Sequence, residues 1–181
     1  MLKPRLRKLA LFAHITTSVG WLGAVACFLV LAVVGLSSRD ARQMQAADLA
    51  MQRIAWCVLV PLSLASTATG FVSSLTTRWG LIRHHWVLVK LVMTIPATLI
   101  LLVHLKPIGF LASVATGATP APPDLVDRIR TQMVVVTGAA VLVLLLATLL
   151  SVLKPRGRTR FSRRLQRPTD GLREATRTNG P

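Results

Sequence analysis

Three of the four histidines in this sequence stand at or inside apolar stretches on one predicted side of a membrane and could bind a cofactor. His14 lies about six residues, or roughly 9 Å, inside the first apolar run. An ionisable side chain at that depth is a candidate functional residue. His84 and His85 precede the third apolar run, on the same predicted side of a membrane. Because imidazoles are axial ligands of haem, His14 with His85 (or His84) forms the candidate pair for a b-type haem or metal site.

Other polar side chains accompany these histidines. Ser18 and Trp21 share a helical face with His14, and Lys90 lies about one turn inside the third apolar run. Together they predict a cavity that opens toward the cytoplasm. Lys90 and His14 also have purely structural explanations. Lys90 can extend its side chain to the cytoplasmic surface. His14 can be a neutral ring that hydrogen-bonds a Ser or Thr of a neighbouring span. The depths of His14 and His85 differ by about 8 Å before tilt, which counts against haem.

The sequence carries no pattern of a hydrolase or a phosphoryl-transfer enzyme. It has no acid pair, no Gly-rich phosphate loop and no nucleophile elbow, so we predict no catalytic residue. Cys27 and Cys57 form no metal-binding or disulfide framework, and apart from the alternative at His14 and His85 we predict no metal site. Their depths in the spans differ by roughly 8 Å, so we expect buried free thiols.

The amino-acid composition indicates that these residues lie in an apolar environment. Hydrophobic residues make up 52% of the 181 residues, and charged residues make up 15%, although the net charge is +16. A soluble domain has about 25% charged residues. The charges here gather at the ends and connections, which favours a membrane protein.

Four apolar runs are long enough to cross a hydrocarbon core of about 30 Å. We therefore predict an all-α polytopic membrane protein, a four-transmembrane-helix bundle over residues 1–153. The predicted spans cover about 9–36, 54–75, 86–105 and 133–153. The first run is too long for a cleaved signal, so we expect it to be retained. Asp124 and Asp127 resemble the start of a helix that continues into the fourth span.

The distribution of Lys and Arg predicts the orientation. About fifteen flank the ends that include both termini, against about six on the other side, so both termini should be cytoplasmic. The tail, residues 154–181, is predicted to be disordered and to attract anionic lipid headgroups. No groove-reading or stacking element for nucleic acid is visible, and we predict no nucleic-acid partner.

Packing signals are strongest in the second span. Its Ser, Thr and Gly residues recur at helical spacing from Ser63 to Ser74, and Ser66 with Gly70 is a small-xxx-small pair. Pro61 and Pro96 predict kinks in spans two and three. The haem hypothesis further requires that His14 face protein and that spans one and three be neighbours.

Three segments carry a resemblance. They begin at His14 (HITTSVGWLGA), Pro61 (PLSLAS) and Trp79 (WGLIRHHWVLVK), and KPRG follows the last span from Lys154. Residues 5–157, without the 3–4 connection, resemble bacterial, especially actinobacterial, membrane proteins of unknown function. The chain is more distantly similar to copper-resistance D-type membrane domains. The first resemblance implies four spans, and the second implies copper or haem at His14 and His85, although copper motifs rich in Met or Cys are missing.

These observations predict a multi-pass protein of the bacterial inner (cytoplasmic) membrane that is a non-catalytic component or accessory subunit. Its partners would be the lipid bilayer and a second copy or another membrane protein. Two alternatives remain at this point. One is a haem-binding redox protein that uses His14 and His85. The other is an oligomeric pore or transport subunit, although the predicted spans hold no carboxylate and the chain has no inverted repeat.

Overall fold

The computed structural model describes residues 4–76 and 85–153, with side chains for these ranges except residues 4, 7, 73–76, 85–91, 152 and 153. The described residues are helical apart from two short connections. The elements in order are α1 (Pro4–Ser37), α2 (Ala41–Ile54), a π-helical segment (Ala55–Leu59), α3 (Val60–Thr76), α4 (His85–Ala115) and α5 (Pro123–Leu153). Because α2, the π-helical segment and α3 run on without a break, the described residues form four long helices.

The four long helices run up and down, with neighbours in sequence packed side by side. We call the end with the α1–α2 and α4–α5 connections the loop end, and the opposite end the terminal end. The first long helix packs on the second and on α5, and α4 packs on the second and on α5. Among the described residues, α1 and α4 therefore lie across the diagonal of the bundle. The expectation that spans one and three are neighbours is wrong.

A heptad-like stripe of α1 faces the core. Trp21, Val25, Phe28 and Ala32 are buried, with spacings of four, three and four residues. This spacing places successive side chains on one face of a helix of 3.6 residues per turn. Gly35 continues the stripe at the loop end. Val30 and Val33, which lie between these positions, are exposed and point outward.

The π-helical segment keeps the second long helix in register with the core. Buried Met51, Ala55, Leu59 and Ser63 follow one another at four-residue steps. In a regular α-helix, three steps of four residues would rotate the buried face by about 120° around the helix axis. One π-bulge inserts one extra residue into a turn and cancels about 100° of that rotation. Pro61 follows two residues after the end of this segment and lacks the N–H that a regular α-helical turn needs. The sequence predicted a kink at Pro61, and the structure has a π-helical segment that ends two residues before it.

The helices extend beyond the predicted spans at the loop end. The second long helix begins at Ala41, α4 continues to Ala115, and α5 begins at Pro123. The expected helix start near Asp124 and its continuation into the fourth span are confirmed. Pro107 lies inside α4, where a hydropathy-based boundary had ended the span at residue 105.

Large apolar side chains cover the outside of the bundle. Among the described residues, four helices are long and apolar enough to cross a membrane, over Lys8–Ser37, Ala41–Val72, Val92–Ala115 and Pro123–Ser151. Only 22–28% of the most apolar window of each is buried inside the protein. The rest of each window is partly or fully exposed. The exposed ones include Leu9, Phe12, Val92, Val103, Val135 and Leu142.

Candidate functional site

His14 lies against α3 near the terminal end. Its Nδ1 is 3.1 Å from the carbonyl oxygen of Ser66 and 3.3 Å from Oγ1 of Thr69. The ring rests on Gly70, where an added Cβ would lie 3.0 Å from Cε1 and 3.3 Å from Nδ1 of the histidine. His14 thus faces protein, as predicted, and its neighbour is the second span rather than the third.

These contacts determine which nitrogen of His14 carries a proton. A carbonyl oxygen only accepts, so Nδ1 must donate to Ser66. Thr69 Oγ1 donates to the carbonyl of Ala65 at 2.6 Å, which leaves its lone pairs toward the histidine. The Nδ1–H tautomer therefore satisfies both contacts. The expected alternative for His14, a ring bonded to polar groups of a neighbouring span, is confirmed.

Two further hydroxyl pairs connect α3 to its neighbours. Ser18 Oγ and Ser66 Oγ are 2.8 Å apart and join α1 to α3. Thr67 donates to Thr98 on α4 at 3.0 Å, because Thr98 gives its own hydrogen to the carbonyl of Thr94. Interhelical hydrogen bonds of this kind contribute about 0.6 kcal/mol each in membrane proteins. The small polar residues predicted to pack the second span therefore hold three helices together.

Of the remaining members of the predicted cavity, Trp21 is not brought to His14. Trp21 is 2% exposed and packs within the hydrophobic core, and its Nε1 has no partner among the described residues. Lys90 and His85 belong to α4, but their side chains lie outside the described residues, as does all of His84. His104 donates from Nδ1 to its own helix at Ile100 and accepts at Nε2 from Gln132 of α5.

The two cysteines differ from expectation in one respect. Cys27 and Cys57 are free thiols, as predicted, but both are exposed on the outside of the bundle. The prediction that they are buried is wrong. Cys27 falls between the buried positions Val25 and Phe28 on the outer face of α1, and Cys57 lies within the π-helical segment, away from the core.

An ion pair at the loop end is the polar feature that sequence reasoning missed. Arg130 Nη2 of α5 is 2.7 Å from Asp48 Oδ2 of α2, and the two side chains are 12% and 1% exposed. Both residues had been assigned to polar connections outside the spans. One signal was available, because Arg130 follows buried Val126 by four residues and precedes buried Met133 by three. That spacing puts its charge on the core face.

The described residues bring no three or more His, Cys, Asp or Glu side chains close enough together to hold a metal ion. A shallow groove of about 430 Å³ is lined by Asp124, Asp127, Arg128 and Thr131 at the loop end, far along the bundle from His14. No family model matches the chain, and comparison with curated proteins and with solved structures finds no match.

Proposed function

We propose that this chain is a four-span integral protein of a bacterial cytoplasmic membrane, where it serves as a non-catalytic component or accessory subunit of a membrane assembly. The observation that carries the proposal is the apolar outer surface of all four long helices. Soluble proteins rarely expose contiguous apolar patches larger than a few hundred Å², because contact of apolar surface with water is unfavourable. Lipid is the solvent that suits such a surface.

The polar residues within the bundle support a structural role. His14, Ser18, Ser66, Thr67 and Thr98 form hydrogen bonds that join neighbouring helices. In lipid, close packing and polar contacts of this kind drive helix association. A histidine engaged in this way contributes to assembly of the bundle.

The orientation follows from charge. With about fifteen Lys and Arg at the terminal end and in the tail against about six at the loop end, the terminal end faces the cytoplasm. The tail from Lys154 onward then lies beside the anionic inner leaflet, where each basic residue contributes about 1 kcal/mol of attraction. This places the tail where it can hold lipid or recruit a protein partner.

Cysteine labelling in intact cells tests insertion and orientation together. In a background with Cys27→Ser and Cys57→Ser, we expect Ala118→Cys, exposed in the α4–α5 connection, to react with a membrane-impermeant maleimide. Ser162→Cys in the tail should react only after lysis. In the protein that keeps its native thiols, Cys27 and Cys57 should resist the reagent, because their exposed positions face lipid. The opposite labelling pattern would reverse the orientation, and release of the protein by alkaline carbonate would disprove insertion.

A visible spectrum tests the haem alternative. Among the described residues α1 and α4 lie across the diagonal of the bundle, and the ring of His14 packs on Gly70 of α3, so we expect protein expressed with added haem precursor to show no b-type band in a reduced-minus-oxidised spectrum. The measurement uses purified protein in mild detergent. A sharp α-band that disappears in both His14→Ala and His85→Ala would instead establish a haem site and make electron transfer the function.

A further inference from the structure

The ion pair at the loop end joins two helices that are not neighbours. Among the described residues, α2 packs on α1 and α4, and α5 packs on the same two helices, so α2 and α5 lie across the other diagonal. The contact between Arg130 and Asp48 therefore passes through the core of the bundle. Gly35 of α1 lies close beside it, since an added Cβ there would be 3.4 Å from Asp48 Oδ1.

The pairing is incomplete on both sides. Asp48 Oδ1 and Arg130 Nε are buried and have no hydrogen-bond partner among the described residues. Inside the bundle the guanidinium also donates from Nη1 to Met44 Sδ at 3.4 Å. A buried pair with unsatisfied atoms gives little net stability, because desolvation offsets the attraction. Such a pair is better explained by a role in selecting one arrangement of the helices.

Arg130 also has a second carboxylate within reach. Asp127 lies one turn earlier on the same helix, with Oδ1 3.9 Å from Arg130 Nη1, and its side chain is 69% exposed. The guanidinium therefore lies between a buried partner on another helix and a solvated partner on its own. If the guanidinium moved from Asp48 to Asp127, an ion pair that crosses the bundle would be replaced by one within α5.

We infer that Arg130 is a two-position switch that controls the loop end of the bundle. Bound to Asp48, it holds α2 and α5 together across the core, and this is the closed arrangement. Bound to Asp127, it releases α2 and admits water to the layer around Met51, and this is the open arrangement. The inference concerns the bundle itself and does not depend on the orientation proposed above.

Labelling of a buried cysteine measures the open arrangement. Met51 is 1% exposed and lies one turn from Asp48, so Met51→Cys in the background without native cysteines reports water at this layer. In detergent, we expect Asp48→Asn to raise the rate of reaction with a water-soluble maleimide by about tenfold or more, since the closed arrangement then buries an unpaired charge. Circular dichroism of the same samples separates opening from unfolding. An unchanged rate would overturn the inference.

A second variant keeps the test decisive if Asp48→Asn fails to fold. Asp127→Asn changes an exposed residue and removes the carboxylate that binds Arg130 in the open arrangement. The rate of maleimide labelling at Met51→Cys should therefore fall by about twofold, which is the effect of losing a surface ion pair at this spacing. Asp124→Asn is the matched control, an exposed carboxylate at the same helix end without an ion pair to Arg130 among the described residues. The inference fails if Asp127→Asn leaves the rate unchanged, or if both variants change it equally.

Discussion

Replacing Arg130 with leucine should lower the free energy of unfolding by about 3–5 kcal/mol, the cost of leaving a buried charge without its partner. The carboxylate of Asp48 would remain in the core, 1% exposed, with the guanidinium that compensates it removed. The free energy is measured by titrating detergent-solubilised protein with a denaturing detergent and following helical circular dichroism.

The double replacement of Asp48 and Arg130 by leucine separates the cost of an unpaired buried charge from the cost of changed packing. With both charges absent, no buried ion remains, and we expect most or all of the loss to be recovered. Arg128→Leu is the matched control, because Arg128 is exposed two residues away on the same helix, and its change should stay within about 0.5 kcal/mol. A loss below about 1 kcal/mol for Arg130→Leu would mean that Asp48 is solvated in the native state.

The sequence predicted four long helices because hydropathy reports which solvent a segment prefers. It located the start of α5 near Asp124 but not the loop-end limits of the second long helix and of α4. The polar segment from Ala41 to Arg53 continues the second long helix, and α4 runs on to Ala115. Pro107 stands within α4 for a related reason. A proline removes one backbone hydrogen bond, and packing on both sides of α4 maintains the helix through it.

The site was only partly readable in advance. That His14 bonds polar groups of a neighbouring span follows from the spacing of Ser66, Thr69 and Gly70 along one face. The sequence does not show which helix His14 contacts, because that contact depends on the order of the helices around the bundle. The pair of Asp48 and Arg130 joins positions 82 residues apart. Periodicity marks each as core-facing, but only the tertiary arrangement makes them partners.

Gly70→Ala carries the second large expected effect, at the opposite end of the molecule. The new Cβ would lie 3.0 Å from Cε1 of His14, closer than side chains normally approach. The ring cannot easily move away, because Nδ1 is bonded to Ser66 and Thr69. Overpacking of this kind costs about 1–3 kcal/mol. We therefore expect a loss of that size in the free energy of unfolding, measured by the same denaturing-detergent titration.

Two comparisons tie that loss to the histidine. Gly138→Ala is the matched control, since it is also a glycine within a long helix and an added Cβ there meets nothing within 4 Å. It should leave stability unchanged or slightly higher, because alanine favours helix. In a His14→Ala background, Gly70→Ala should cost little, because the ring it would strike is gone, and the two changes should then be strongly non-additive. Additive losses would show that Gly70 is needed for close backbone packing and that His14 is incidental to it.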